Sequence, residues 1–67
     1  MTVFLNNEVL ELPQPHMTVA DLLDWKNISL QGTAVAINDR LLLKKDWGVR
    51  NLEDMDRITV ISAAFGG

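Results

Sequence analysis

Residues 2–27, TVFLNNEVLELPQPHMTVADLLDWKN, decide the fold. Thr2-Val-Phe-Leu-Asn6 and Glu8-Val-Leu-Glu-Leu12 are short runs of β-favouring residues separated by Asn6-Asn7. Asparagine tolerates positive φ, so Asn-Asn supports a tight hairpin turn, though less readily than Asn-Gly. Pro13-Gln-Pro15 ends the second run, because proline cannot donate to a ladder and holds its predecessor extended. A helix follows with a marked start. Thr18 stands as N-cap and Asp21 at the third helical position, a capping box with aspartate in place of Glu or Gln. Met17 and Leu22 occupy the two positions of a hydrophobic staple. Val19, Leu22, Leu23 and the stem of Lys26 follow the i, i+3, i+4, i+7 spacing of one apolar face, and Asn27 stops the helix.

Working outward, Ile28 to Gly32 reads as an irregular connector and Thr33-Ala-Val-Ala-Ile37 as a compact strand. Asn38-Asp39 is a turn signal leading into Arg40-Leu-Leu-Leu-Lys44, a short strand. The polar stretch 45–56 has Trp47, Val49 and Leu52 as apolar anchors and is expected to hold a turn or a short 3₁₀ segment. Arg57-Ile-Thr-Val-Ile-Ser62 is a final strand. Ile58 and Val60 alternate to one side and Thr59 and Ile61 to the other, with a core role expected for each. A hairpin, a helix and further strands in so short a chain is the β-grasp arrangement. This predicts an α+β domain over 1–62, with a mixed sheet of four to five strands packed on one helix. The last strand should lie beside the first in mid-sheet, and 63–67 should form a flexible tail.

Composition limits the rest. The 67 residues include no cysteine, which excludes disulfides, thiolate zinc sites and thiol nucleophiles. Hydrophobic residues at 48% and charged ones at 22% fit a globular chain rather than a disordered one. A domain of this size buries only about 60% of its unfolded surface and is stable by roughly 3–10 kcal/mol. A deep pocket would take too much of such a core. The net charge of −3 and scattered basic residues, with Lys44-Lys45 the only adjacent pair, argue against nucleic acid. Neither a signal peptide nor an apolar run of membrane-spanning length is readable, so a cytoplasmic protein with no membrane association is expected.

Catalytic constellations are missing from the sequence. His16, the one histidine, lies between a proline and the helix cap and reads as a solvated loop residue. Glu53, Asp54 and Asp56 suggest a metal site at first sight, but a calcium loop needs more ligands and a glycine at a set position. They read as a solvated turn. There is no phosphate-cradling glycine loop, and Ser29 and Ser62 have no neighbouring triad partner. Trp25 and Trp47 are expected to pack. No metal or cofactor is expected on the chain.

The informative feature is Ala63-Ala64-Phe65-Gly66-Gly67, directly after a strand. Glycine has no side chain and accepts any φ/ψ, so such a tail suits threading through a narrow channel of another protein. A carboxylate at its tip becomes reactive only when activated, for example by attack on ATP to give an acyl adenylate.

The chain resembles the ubiquitin-like sulfur carriers, most closely the ThiS-like carriers for the thiazole of thiamine. The resemblance runs the whole length. It includes the hairpin, the helix opening Thr18-Val19-Ala20-Asp21-Leu22-Leu23 and the run Ala34-Val35-Ala36-Ile37-Asn38. Lys44 and Trp47 look like the basic residue and tryptophan of the family's Pro-Arg-x-x-Trp element. The block Leu52-Glu53-Asp54-Met55-Asp56-Arg57-Ile58 and the terminal Gly66-Gly67 complete it. Leu43 departs from a family proline, and Met55 from the glycine of an Asp-Gly-Asp turn.

The resemblance implies a carrier rather than an enzyme. An E1-like adenylating enzyme, using ATP and magnesium, would adenylate the Gly67 carboxylate. Sulfur from a donor such as a cysteine desulfurase persulfide would then displace AMP and leave a thiocarboxylate for thiazole synthase. Gly66 would permit threading, and Phe65 with Ala64 would contact the channel mouth. An apolar sheet face would supply docking, acidic residues near the tail would steer a basic partner surface, and the free chain would be a monomer. Two alternatives stand beside this one. One is a carrier for molybdopterin or an amino-acid pathway; the other is a non-catalytic β-grasp interaction module with incidental glycines.

Overall fold

A computed structural model of the chain describes residues 1–62; Ala64, Phe65, Gly66 and Gly67, and with them the expected tail, lie outside the described residues. Along the chain run β1 (Thr2–Leu5), β2 (Glu8–Glu11), α1 (Val19–Trp25), β3 (Thr33–Ile37), β4 (Arg40–Leu42), a 3₁₀ turn (Lys44–Asp46) and β5 (Arg57–Ser62). The sheet order is β2-β1-β5-β3-β4. β1 and β5 are parallel, paired Phe4 to Arg57 and Leu5 to Ile58, while the other neighbours are antiparallel. This is the α+β, β-grasp arrangement that the order of sequence signals predicts, with five strands and the last one central.

Both hairpins close on two-residue turns with positive φ at each central residue, as a type I′ turn requires. Asn6 and Asn7 have φ 51° and 70°, and Asn38 and Asp39 repeat those values. The helix start is built as its sequence implies. Asp21 donates its amide to Thr18 Oγ1 at 3.1 Å, and the Thr18 amide donates to Asp21 Oδ2 at 3.0 Å. The two preceding free donors are taken by the loop after β4: Val19 N–H reaches the Arg50 carbonyl at 3.0 Å, and Ala20 N–H the Trp47 carbonyl at 2.9 Å. At the other end Asn27, with φ 58°, is the left-handed residue of a Schellman motif. Its amide donates to Asp24 O at 3.1 Å, and that of Ile28 to Leu23 O at 2.8 Å.

The core lies between α1 and one face of the sheet. Val19, Leu22 and Leu23 from the helix meet Val3, Val35, Ile37 and Ile58 from the strands, with Leu12, Met17, Trp47 and Leu52 sealing the ends. Met17 and Leu22 are both buried there, as the staple predicts.

Several expectations are corrected. Lys26 is solvent-exposed and caps the helix instead of extending its apolar face; its ammonium lies 5.4 Å from the Trp25 ring centroid. Trp25 is itself 41% exposed, so of the two tryptophans only Trp47 packs inside. β4 ends at Leu42 rather than Lys44, because the chain turns into the 3₁₀ segment where the Trp47 indole N–H takes the Leu42 carbonyl at 3.0 Å. Val49 anchors nothing, being 73% exposed. Thr59 and Ile61 also have no core role, since both are exposed on the face turned away from the helix.

Candidate functional site

β5 is the strand that precedes Gly66-Gly67 in sequence, and its first four residues are held on both edges by asparagines from the hairpin turns. At its start, Asn38 Oδ1 accepts the Arg57 amide at 2.9 Å, and the Asn38 amide N–H donates to Arg57 O at 2.8 Å. The Asn38 carboxamide also donates to Asp56 Oδ1 at 3.0 Å. Farther along, Asn6 N–H donates to Ile58 O, and Asn6 Oδ1 accepts the Val60 amide, both at 2.8 Å. The positive-φ geometry that makes these asparagines turn residues also places their carboxamides within reach of the neighbouring strand.

Asp56 is the residue that sequence reasoning placed wrongly. It is buried, not solvated. One oxygen takes the Asn38 carboxamide; the other accepts the Glu53 amide at 2.8 Å and faces an Arg50 guanidinium nitrogen at 3.3 Å. A buried carboxylate is tolerated when its lone pairs are filled in this way. Glu53, Asp54 and Met55 remain exposed beside it, and Asp54 Oδ1 accepts the Thr2 amide at 2.8 Å. Among the described residues no group of three or more His, Asp or Glu is arranged to hold a metal ion. His16 is exposed, as expected.

The sheet face turned away from the helix is the broad surface. Phe4 pairs with Val9 on one side and with Arg57 on the other, and Ala34 pairs with Ile61. Ala36 links Thr59 to Leu41 across β3. Val9, Leu41 and Ile61 are 69%, 70% and 63% exposed. This is an apolar strip crossing all five strands, with Arg57 in it and Arg57 paired to Asp39 at 3.1 Å. Exposed large apolar residues gathered on one face mark interaction surfaces. The alternation of Thr59 and Ile61 against Ile58 and Val60 is visible in the sequence, but a core role was expected for all four and the strip was not foreseen. The period-two alternation in the other strands holds the signal for Phe4, Val9, Ala34, Ala36 and Leu41, the positions out of phase with the core.

Concave features are shallow. One hollow of about 570 Å³ is lined by Ile37, Asn38, Arg40, Leu41, Leu42 and Arg50, and its lining holds neither a carboxylate nor a histidine. Another of about 270 Å³ runs beside Trp25, with Met17, Asp21 and Asp24 in its wall. Neither contains a nucleophile with a base beside it, the minimum for covalent catalysis. Among the described residues no helix is long and apolar enough to cross a membrane.

Comparison with known proteins agrees with this architecture. The chain matches the crystal structure of a thiamine biosynthesis protein, ThiS, from Geobacter metallireducens with a TM-score of 0.85 at 17% identity, over 100% of each chain. The solution structure of a thiamine biosynthesis protein from Geobacter metallireducens matches with a TM-score of 0.84 at 17% identity, over 100% of this chain and 88% of that one. At that identity the likeness carries the fold. No curated protein matches. The profile of the ThiS family matches residues 3–67, which is nearly the whole sequence, and the chain therefore belongs to the ThiS family.

Proposed function

We propose that this protein is a sulfur carrier for thiamine biosynthesis whose reactive group is the carboxylate of Gly67. Membership of the ThiS family over residues 3–67, a match that includes Gly66-Gly67, is the observation that carries the reading. The fold supports it. β5, the strand that precedes the two glycines in sequence, is central in the sheet and paired on both edges.

In this reading an E1-like enzyme, with ATP and magnesium, supplies the catalysis. The Gly67 carboxylate oxygen attacks the α-phosphorus of ATP and releases pyrophosphate, leaving an acyl adenylate. A sulfur donor such as a desulfurase-derived persulfide then attacks the acyl carbon and expels AMP. Reductive cleavage of the resulting sulfur–sulfur bond by a thiol leaves the thiocarboxylate. Its nucleophilic sulfur is passed to thiazole synthase. The apolar strip of Phe4, Val9, Leu41 and Ile61 is the docking face, and Gly66, Phe65 and Ala64 enter the partner's channel.

The test is incubation with ATP, magnesium, the cognate activating enzyme and a sulfur source, followed by intact-protein mass spectrometry. The expected product gains one oxygen-to-sulfur exchange, located at Gly67 by fragmentation. Absence of both adenylate and thiocarboxylate would sink the proposal. A thiocarboxylate accepted by a molybdopterin or amino-acid pathway enzyme, and refused by thiazole synthase, would move the acceptor and keep the chemistry.

A further inference from the structure

β5 has two edges, and they are covered unequally. On one edge β3 pairs with it from Ile37–Ile58 to Thr33–Ser62, the full length of the strand. On the other edge β1 pairs only as far as Leu5–Ile58, because the chain turns away at Asn6-Asn7. Beyond that point there is no β1 backbone to meet Val60. The Val60 amide is instead taken by the side chain of Asn6, whose Oδ1 lies 2.8 Å away across 54 residues of sequence. The backbone amide of the same residue donates to Ile58 O at 2.8 Å. One turn residue thus supplies the last backbone rung of the parallel ladder and a further rung made by its carboxamide.

We infer that Asn6 is a positioning residue for the reaction proposed above: it holds β5 on its β1 edge through Val60 and so fixes the direction in which the chain leaves the sheet toward Gly67. This rests on the carrier reading. Asn6 touches none of the reacting atoms and acts through β5. A partner that binds the sheet face and must also receive the terminus recognises the correctly directed fraction of the ensemble. Loss of direction therefore raises the apparent dissociation constant in proportion to the fraction lost. The chemical step, once the terminus is seated, is untouched.

Two substitutions separate this role from the turn's own needs. Asn6→Gly accepts the φ of 51° and removes only the carboxamide. Asn6→Asp keeps both a residue that tolerates positive φ and an acceptor oxygen for Val60. In Asn6→Gly the Val60 amide should exchange with solvent about five- to tenfold faster, the size of one lost hydrogen bond, with cooperative unfolding retained. In the adenylation assay its KM should rise severalfold with kcat unchanged, and Asn6→Asp should restore both KM and Val60 protection. Faster exchange with an unchanged KM would overturn the positioning role, as would a fall confined to kcat. Unchanged Val60 exchange would overturn the clamp itself. If the native chain is never adenylated, the carrier reading fails and the role in the reaction fails with it, while amide exchange alone decides the clamp.

Discussion

Met55 holds a φ of 70°, a conformation that costs a residue with a Cβ about 1–2 kcal/mol relative to the right-handed region. The turn it belongs to is closed by the Asp56 amide on the Glu53 carbonyl at 3.0 Å, with the positive φ at its third position that a type II turn demands. What forces it is external. Met55 donates its amide to Thr2 O at 2.6 Å, and Asp54 accepts from the Thr2 amide, so the start of β1 fixes both sides of the turn. The departure from the family's glycine was visible in the sequence, and its cost follows from the structure. Met55→Gly should stabilise the protein by about 0.5–1 kcal/mol, net of glycine's greater unfolded freedom, read as a higher urea midpoint with unchanged slope. Leu43 is the opposite case. Its φ of −68° and ψ of 146° are those of proline, and it lies outside β4, so Leu43→Pro should also stabilise, by about 0.5–1 kcal/mol. A lower midpoint for either variant would refute the corresponding argument.

Elements whose signals are local were legible in sequence. The Thr18–Asp21 capping box, the Asn27 stop and both positive-φ turns each depend on residues within a few positions of one another. The bounds of β3 and β5 followed from uninterrupted β-branched and apolar runs. What could not be read depends on contacts across the chain. β4 stops at Leu42 because an indole five residues later takes its carbonyl. Asp56 looked like one more acid in a polar run, yet its partner Asn38 lies 18 residues away. That network joins the β3–β4 turn to the start of β5. Asp56→Ala would strand the Asn38 carboxamide and the half-buried Arg50, and should cost about 3 kcal/mol, a large share of the total for so small a domain. Thermal unfolding measures it, and a loss below about 1 kcal/mol would show the network to be dispensable. For the candidate site, Gly66 and Gly67 lie outside the described residues, and the outer apolar strip was not foreseen, since Thr59 and Ile61 were expected in the core. An alternating strand shows that two faces exist without showing which one the helix covers.

At the scale of the whole molecule, the helix covers one face of the sheet and leaves the other to water, which under the carrier reading separates stability from partner docking. Ile61→Asp, on the uncovered face at 63% exposure, should leave the melting temperature within about 2 °C and reduce activation by the partner enzyme at least tenfold. A large fall in melting temperature would place Ile61 in the core after all. Charge acts at the opposite end of the sheet. Glu11 is held below the ordinary glutamate range, first by the Thr2 hydroxyl at 2.7 Å and then by the Met1 amine at 3.1 Å. The folded state therefore binds this proton less readily than the unfolded state does. The contribution is complete above the ordinary glutamate pKa of about 4.3 and is lost as pH falls through the depressed folded value. The stability difference between the native chain and Glu11→Gln should accordingly be widest at neutral pH and close on acidification; a constant difference would refute it. The placement of β5 has one more consequence, which concerns the order of synthesis. The strand at the centre of the sheet is the last of the described elements to leave the ribosome, so the hairpin, helix and β3–β4 pair cannot close into a sheet before it arrives. Truncation before β5 therefore removes the sheet as a whole rather than one edge of it, since β5 alone joins the β2-β1 pair to the β3-β4 pair.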